Sequence, residues 1–176
     1  MPESMMQPDL QDVAPLQGVR ASALARWQER GWPGPRDEAW RFTRLASLDK
    51  LSLRPADANL SAGMQDIAAA GMPAAAHVIR FHHGLLVDAS LQGAPDGLTL
   101  RRLGEAGLAQ MLDLLPADHP VTDLSMAAMT SGLLVDVAAG SKVTTPIILI
   151  FTGESEAVST HPVVLLRVGT AAHVVV

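Results

Sequence analysis

Six histidines, His77, His82, His83, His119, His161 and His173, are the side chains of this 176-residue chain best suited to chemistry near neutral pH. A metal site would need three or four ligands brought together. Their spacing offers no H-E-x-x-H pair, and the chain has no cysteine to supply a thiolate or a disulfide. His82 and His83 are adjacent. In a strand they would point to opposite faces, and at a turn tip they would stand in solvent. His161 precedes Pro162 and reads as a loop leading into a strand, while His173 alternates with Val174 across another. No G-x-S-x-G places a serine nucleophile. No G-x-x-x-x-G-K-S/T makes a phosphate loop, and Gly104-Glu105-Ala106-Gly107 lacks the strand–turn–helix frame such a loop needs. Gly93-Ala94-Pro95-Asp96-Gly97 reads as a plain turn, and no carboxylate pair stands out from solvated positions. The residues alone assign no catalytic, cofactor-binding or metal site. The chain reads as not an enzyme.

Composition narrows the class. Hydrophobic residues make up 48% and charged residues 18% of the chain, too apolar a balance for a disordered one. A net charge of −5 gives no electrostatic draw to nucleic acid. No apolar run approaches the ~18 residues a membrane helix needs. Residues 1–15 lack the basic and apolar regions of a signal peptide, so Asn59-Leu60-Ser61 is set aside as a glycosylation acceptor and a cytoplasmic location is expected.

The elements that must position these residues follow from periodicity. Residues 1–18, with Pro2, Pro8 and Pro15, read as a flexible leader. Val19, Ala23, Leu24 and Trp27 recur at helical spacing and predict a helix to Arg30, stopped by Gly31. A turn at Trp32-Pro33-Gly34-Pro35 then leads to a second short helix over 37–43, acidic in its first turn. The three tryptophans, Trp27, Trp32 and Trp40, and Phe42 are expected to form a small core between these helices. Short helices are expected at Gln65–Ala70, Glu105–Leu115 and Asp123–Ser131. His77–Phe81 and Leu85–Asp88 flank a tight turn and predict a hairpin, with a further strand at Leu98–Leu103. From Gly132 aliphatic runs alternate with short turns and no helical pattern intervenes, which means a sandwich, a barrel or a β-solenoid. The last residues, Val174-Val175-Val176, have no cap, and a natural solenoid covers its terminal coil. The expectation is that these residues open a longer protein.

Two stretches carry a family resemblance. Gly31-Trp32-Pro33, followed by Glu38-Ala39-Trp40-Arg41-Phe42-Thr43-Arg44-Leu45, resembles the N-terminal signature of the SufB/SufD family of iron–sulfur cluster assembly proteins, and is most like its SufD branch. The order from Leu124 to Val176 is similar to the start of that family's β-helix: a short helix, Gly132-Leu133-Leu134-Val135-Asp136-Val137, Pro146-Ile147, then Thr160-His161-Pro162. Arg80-Phe81-His82-His83-Gly84 also looks like the family's hairpin. Ser125, Ser131 and Val163 depart from the usual Asn, Asp and Arg.

The resemblance implies an α+β fold: a mostly helical N-terminal region over 19–131 with a small hairpin, leading at 132–176 into the first coils of a right-handed parallel β-helix. It implies a SufD-like role in a scaffold complex with a SufB-like paralogue and a SufC-like ATPase, while charge and the lack of a long apolar run lead to the expectation of no nucleic-acid or membrane partner. The iron–sulfur cluster would be handled by the assembled complex, with no cofactor in this chain. The family's functional residues fall beyond residue 176, so none is carried over. Two other classes stay open. One is a carbohydrate-active enzyme on a β-solenoid, which would need a carboxylate pair and aromatic sugar platforms. The other is a homo-oligomeric structural module joined through an exposed edge strand.

Overall fold

Gly31, at φ 65°, ends the first helix where its position predicts, its N–H donating to Trp27 O at 2.7 Å. The computed structural model describes residues 17–43, 45, 48, 54–55, 73, 75–91, 93, 96–104, 108, 114, 119–129, 131–153 and 158–176. The leader through residue 16, the expected helix at Gln65–Ala70 and all but Leu108 and Leu114 of the one at Glu105–Leu115 lie outside them. The chain is a mixed α/β protein, with two α-helices and small mixed sheets among the described residues.

Helix α1 spans Gln17–Arg30, beginning inside the stretch expected to be leader. Its buried contact centres on Ala23, fully buried, while Leu24 is turned outward. The expected second helix is one 3-10 turn, Glu38–Trp40, set by Asp37, whose Oδ2 accepts from Gly34 N at 2.7 Å. The expected aromatic core does not form as a unit. Trp27 packs edge-on against Trp32, Trp40 lies against His119, and Phe42 is 86% exposed with Arg41 over its ring. Helix α2 spans Pro120–Ala128, three residues earlier than the spacing predicts, because Pro120 takes the first helical position, where its missing N–H is harmless.

The strands are β1 (Arg54–Pro55), β2 (His77–His82), β3 (Leu85–Ser90), β4 (Leu98–Arg102), β5 (Gly132–Val137), β6 (Lys142–Val143), β7 (Ile147–Thr152), β8 (Val158–Ser159), β9 (Val163–Val168) and β10 (His173–Val174). The hairpin forms as predicted: β2 and β3 are antiparallel, with His83 (φ 49°) and Gly84 (φ 79°) in the turn. Two three-stranded sheets result, in the orders β3-β2-β7 and β4-β5-β9. Each mixes one antiparallel and one parallel pairing. Two short parallel pairs, β6 with β10 and β1 with β8, complete the set.

Two of the parallel pairs, β5 with β9 and β6 with β10, share one register. Gly132 faces Val163, Val137 faces Val168 and Lys142 faces His173, every partner 31 residues further along the chain. The turn between β5 and β6 therefore lies over the turn between β9 and β10, and Gly140 N donates to Thr170 O at 2.9 Å between them.

Strand alternation sorts the side chains. Ile79, Phe81, Leu98, Leu100, Leu133, Val135, Val137, Val143 and Ile147 fill one core shared by β2, β4, β5, β6 and β7. Leu134 and Leu165 point the other way and meet a second core of Ala23, Leu103, Leu108, Met126, Met129 and Val163. The helices thus cover the back of the β4-β5-β9 sheet. Arg26 Nε donates to Asp123 Oδ1 at 2.8 Å and holds α1 to α2. No helix among the described residues is long and apolar enough to cross a membrane.

Candidate functional site

The histidines do not converge. His77 begins β2 and His82 ends it, about 16 Å apart at the ~3.3 Å rise of a strand. His119 caps α2 beside Trp40, and His173 is exposed on β10. Among the described residues no three His, Cys, Asp or Glu side chains are placed to hold a metal ion.

The hairpin tip departs from expectation. His82 and His83 are 2% and 4% exposed, not solvated. The β2–β7 pairing carries the tip beneath the segment that follows β7: His83 N donates to Thr152 O at 2.8 Å, and Gly84 packs on Thr160 and His161. The rings of His82 and His83 meet edge-on at 4.4 Å. The Thr152 hydroxyl lies 2.8 Å from His82 Nδ1 and 3.3 Å from Phe81 O, and so ties the His82 ring to its own strand. Burial pushes His161 below its ordinary value of 6.5. The tip is a structural latch of imidazoles and hydroxyls.

The larger opportunity lies at the other end of β2. A cavity of about 610 Å³ is lined by His77, Asp96, the run from Ala139 to Val143, Thr144 and Thr145. Its position follows from the topology. Strands β5 and β7 each carry a neighbour on both sides or on the near side, β4 and β2 respectively, whereas β6 pairs on one edge with β10. The cavity borders β6 between the turn that leads into β4 and the first residue of β2. Ser141 O accepts from His173 N at 2.9 Å. Ladder alternation then directs the N–H and C=O of Lys142 away from β10, towards the cavity side.

One wall is set by close approach. A Cβ on Gly97 (φ 81°) would lie 1.9 Å from Ser141 Oγ, so only glycine lets the hydroxyl rest against that turn. Ala138 N donates to Gly97 O at 2.8 Å and fixes the same contact. His77 is 1% exposed, and burial lowers its pKa from the ordinary 6.5, so the imidazole is neutral at pH 7.

No protein-family model matches the chain, and no curated protein matches it. The cavity therefore has to be read from its own lining. Asp96, Ser141, Lys142, Thr144 and Thr145 were not legible as a group in the sequence, where each falls in or beside an ordinary turn. Only the register of two distant turns brings them together.

Proposed function

We propose that the chain is a SufD-like component of a SufB–SufC–SufD iron–sulfur scaffold, working in the cytoplasm as an assembly protein without catalysis of its own. On this reading residues 132–176 form the first coils of a right-handed parallel β-helix. Its partners are a SufB-like paralogue and a SufC-like ATPase, and the cluster is the cargo of the assembled complex.

The observation that carries the reading is the constant 31-residue register through β5, the following turn and β6. Strand, turn and strand repeating with one offset is the geometry of stacked coils, and stacked coils give an extended, rigid surface suited to assembly. Phe81 and Phe151, in register on neighbouring parallel strands with centroids 5.0 Å apart, add the in-line stacking that such coils favour. The motif from Gly31 to Leu45 supplies the link to this particular family.

Depletion of the protein in its source cells tests the reading. The expected result is reduced cluster occupancy in iron–sulfur enzymes, restored by re-expression. Unchanged occupancy under iron limitation and oxidative stress would contradict it.

A further inference from the structure

We infer that the cavity beside β6 is a binding site for a small anionic polyol, a hydroxylated molecule bearing one carboxylate or phosphate. The inference is independent of the scaffold reading.

Size comes first. At about 610 Å³ the cavity falls inside the range of roughly 300–1,000 Å³ typical of small-molecule sites. Its lining is unlike that of a hydrophobic ligand pocket. Three hydroxyls (Ser141, Thr144 and Thr145), one ammonium (Lys142), one carboxylate (Asp96) and one buried imidazole (His77) share it with Ala139, Gly140 and Val143.

Each group restricts the ligand. Lys142 supplies a full positive charge, and charge-assisted hydrogen bonds from an ammonium with neighbouring hydroxyls are the ordinary means of holding a carboxylate or phosphate. Asp96 accepts hydrogen bonds only, and would repel a ligand that was anionic throughout. It calls for hydroxyl donors on the remainder of the molecule. His77, neutral through burial, adds an uncharged polar ring to the lining. The hydroxyls and the N–H and C=O of Lys142 suit a ligand that donates and accepts at many points.

The lining also excludes classes. Among the described residues the lining holds no Phe or Trp, which would give a nucleobase or flat ring a platform to stack on. Among them Asp96 is also the one carboxylate, whereas glycoside cleavage uses two. The turn at Gly97 packs directly against Ser141 on one wall.

Titration calorimetry with glucose 6-phosphate, gluconate, glucose and inorganic phosphate tests this on the full chain. Amide hydrogen exchange over 139–145 locates the binding. Glucose 6-phosphate or gluconate is expected to bind saturably, with Kd at or below ~1 mM, and to protect those amides. Whichever of the two binds tighter identifies the anionic group. Lys142→Gln, at an exposed position, is expected to weaken that ligand ~10-fold or more by removing the charge, and Lys142→Arg to restore most of the loss. Asp96→Asn is expected to weaken it while strengthening the binding of inorganic phosphate, which the carboxylate repels. The inference is overturned if neither anion saturates, if protection appears elsewhere, or if Lys142→Gln binds as well as the parent. Glucose or inorganic phosphate binding as tightly as the two anionic polyols would overturn it as well.

Discussion

Asp136 and Arg167 stand 31 residues apart in the chain, yet face each other in register on parallel β5 and β9. Arg167 Nε donates to Asp136 Oδ1 at 2.8 Å, and Nη2 donates to Oδ2, a two-pronged pair on the outer face of the sheet. The pair marks the register of one strand against the next. It also sets a proton-linked term in stability.

The hydrogen bonds from Arg167, aided by the charges of Arg167 and Arg101 and opposed by burial, hold the Asp136 carboxyl below its ordinary value of 3.8. The unfolded chain therefore takes up this proton first as pH falls. The contribution of the pair is complete above the unfolded pKa and is lost as pH drops through the folded one. Urea unfolding of the parent and of Asp136→Asn, from about pH 6 to about pH 3, should show a constant modest difference that shrinks below about pH 4. A difference undiminished at the acid end would contradict the pairing.

His77 and His161 carry the opposite proton balance to a paired histidine. Burial lowers both, so the unfolded chain binds protons more readily, from pH 6.5 downward. Stability should be full above about pH 7 and decline towards about pH 5. His161→Asn should flatten that decline, read as unfolding midpoint against pH. A parent protein that gains stability on acidification over this range would show the sign to be wrong.

Gly169 tests the stacking of the turns. A Cβ there would lie 2.4 Å from Ala139 N and 2.7 Å from Ala139 Cα, both backbone atoms that have no rotamer to yield. Gly169→Ala should destabilise by about 1–3 kcal/mol, the range for overpacked sites. Gly34→Ala, with nothing within 4 Å, should be nearly neutral. Equal denaturation midpoints for the two variants would argue against the close approach of the two turns.

One buried charge helps to join the helix pair. The Asp123 side chain is 8% exposed and faces Arg26, itself 47% exposed. Arg26→Ala should cost about 1 kcal/mol or somewhat more, chiefly by leaving Asp123 without its guanidinium. Adding Asp123→Asn should recover part of that loss. A double variant less stable than Arg26→Ala alone would point instead to a role for Asp123 beyond the pair.

The local elements were largely legible in the sequence. Gly31 marked the end of α1, the His82–Gly84 turn marked the β2–β3 hairpin, and the runs at 132–137, 147–152 and 163–168 marked β5, β7 and β9. These rest on turn residues and on periodicity, which act within a few residues. The pairing was not legible. Strand runs such as Ile147–Phe151 are aliphatic on both faces, so nothing in them chooses β2 as a parallel neighbour. The burial of His82 and His83 is hidden for the same reason, because Thr152 and Gly153 come beside them only once that register is set. Residue type places Phe42 in the aromatic core and helical spacing places Leu24 on the apolar face, yet both are exposed. One lies outside the Trp27–Trp32 contact and the other one position away from the face that Ala23 defines. The cavity needed still more, since Asp96, His77 and Lys142 meet only through three separate pairings.

Affinity capture of the tagged protein from its source cells, with quantitative mass spectrometry of what is retained, tests the scaffold reading most directly. The account predicts recovery of a SufB-like paralogue and a SufC-like ATPase in fixed proportion to the bait. Recovery of the protein alone, or as a complex of identical chains, from cells in which both partners are abundant would contradict it.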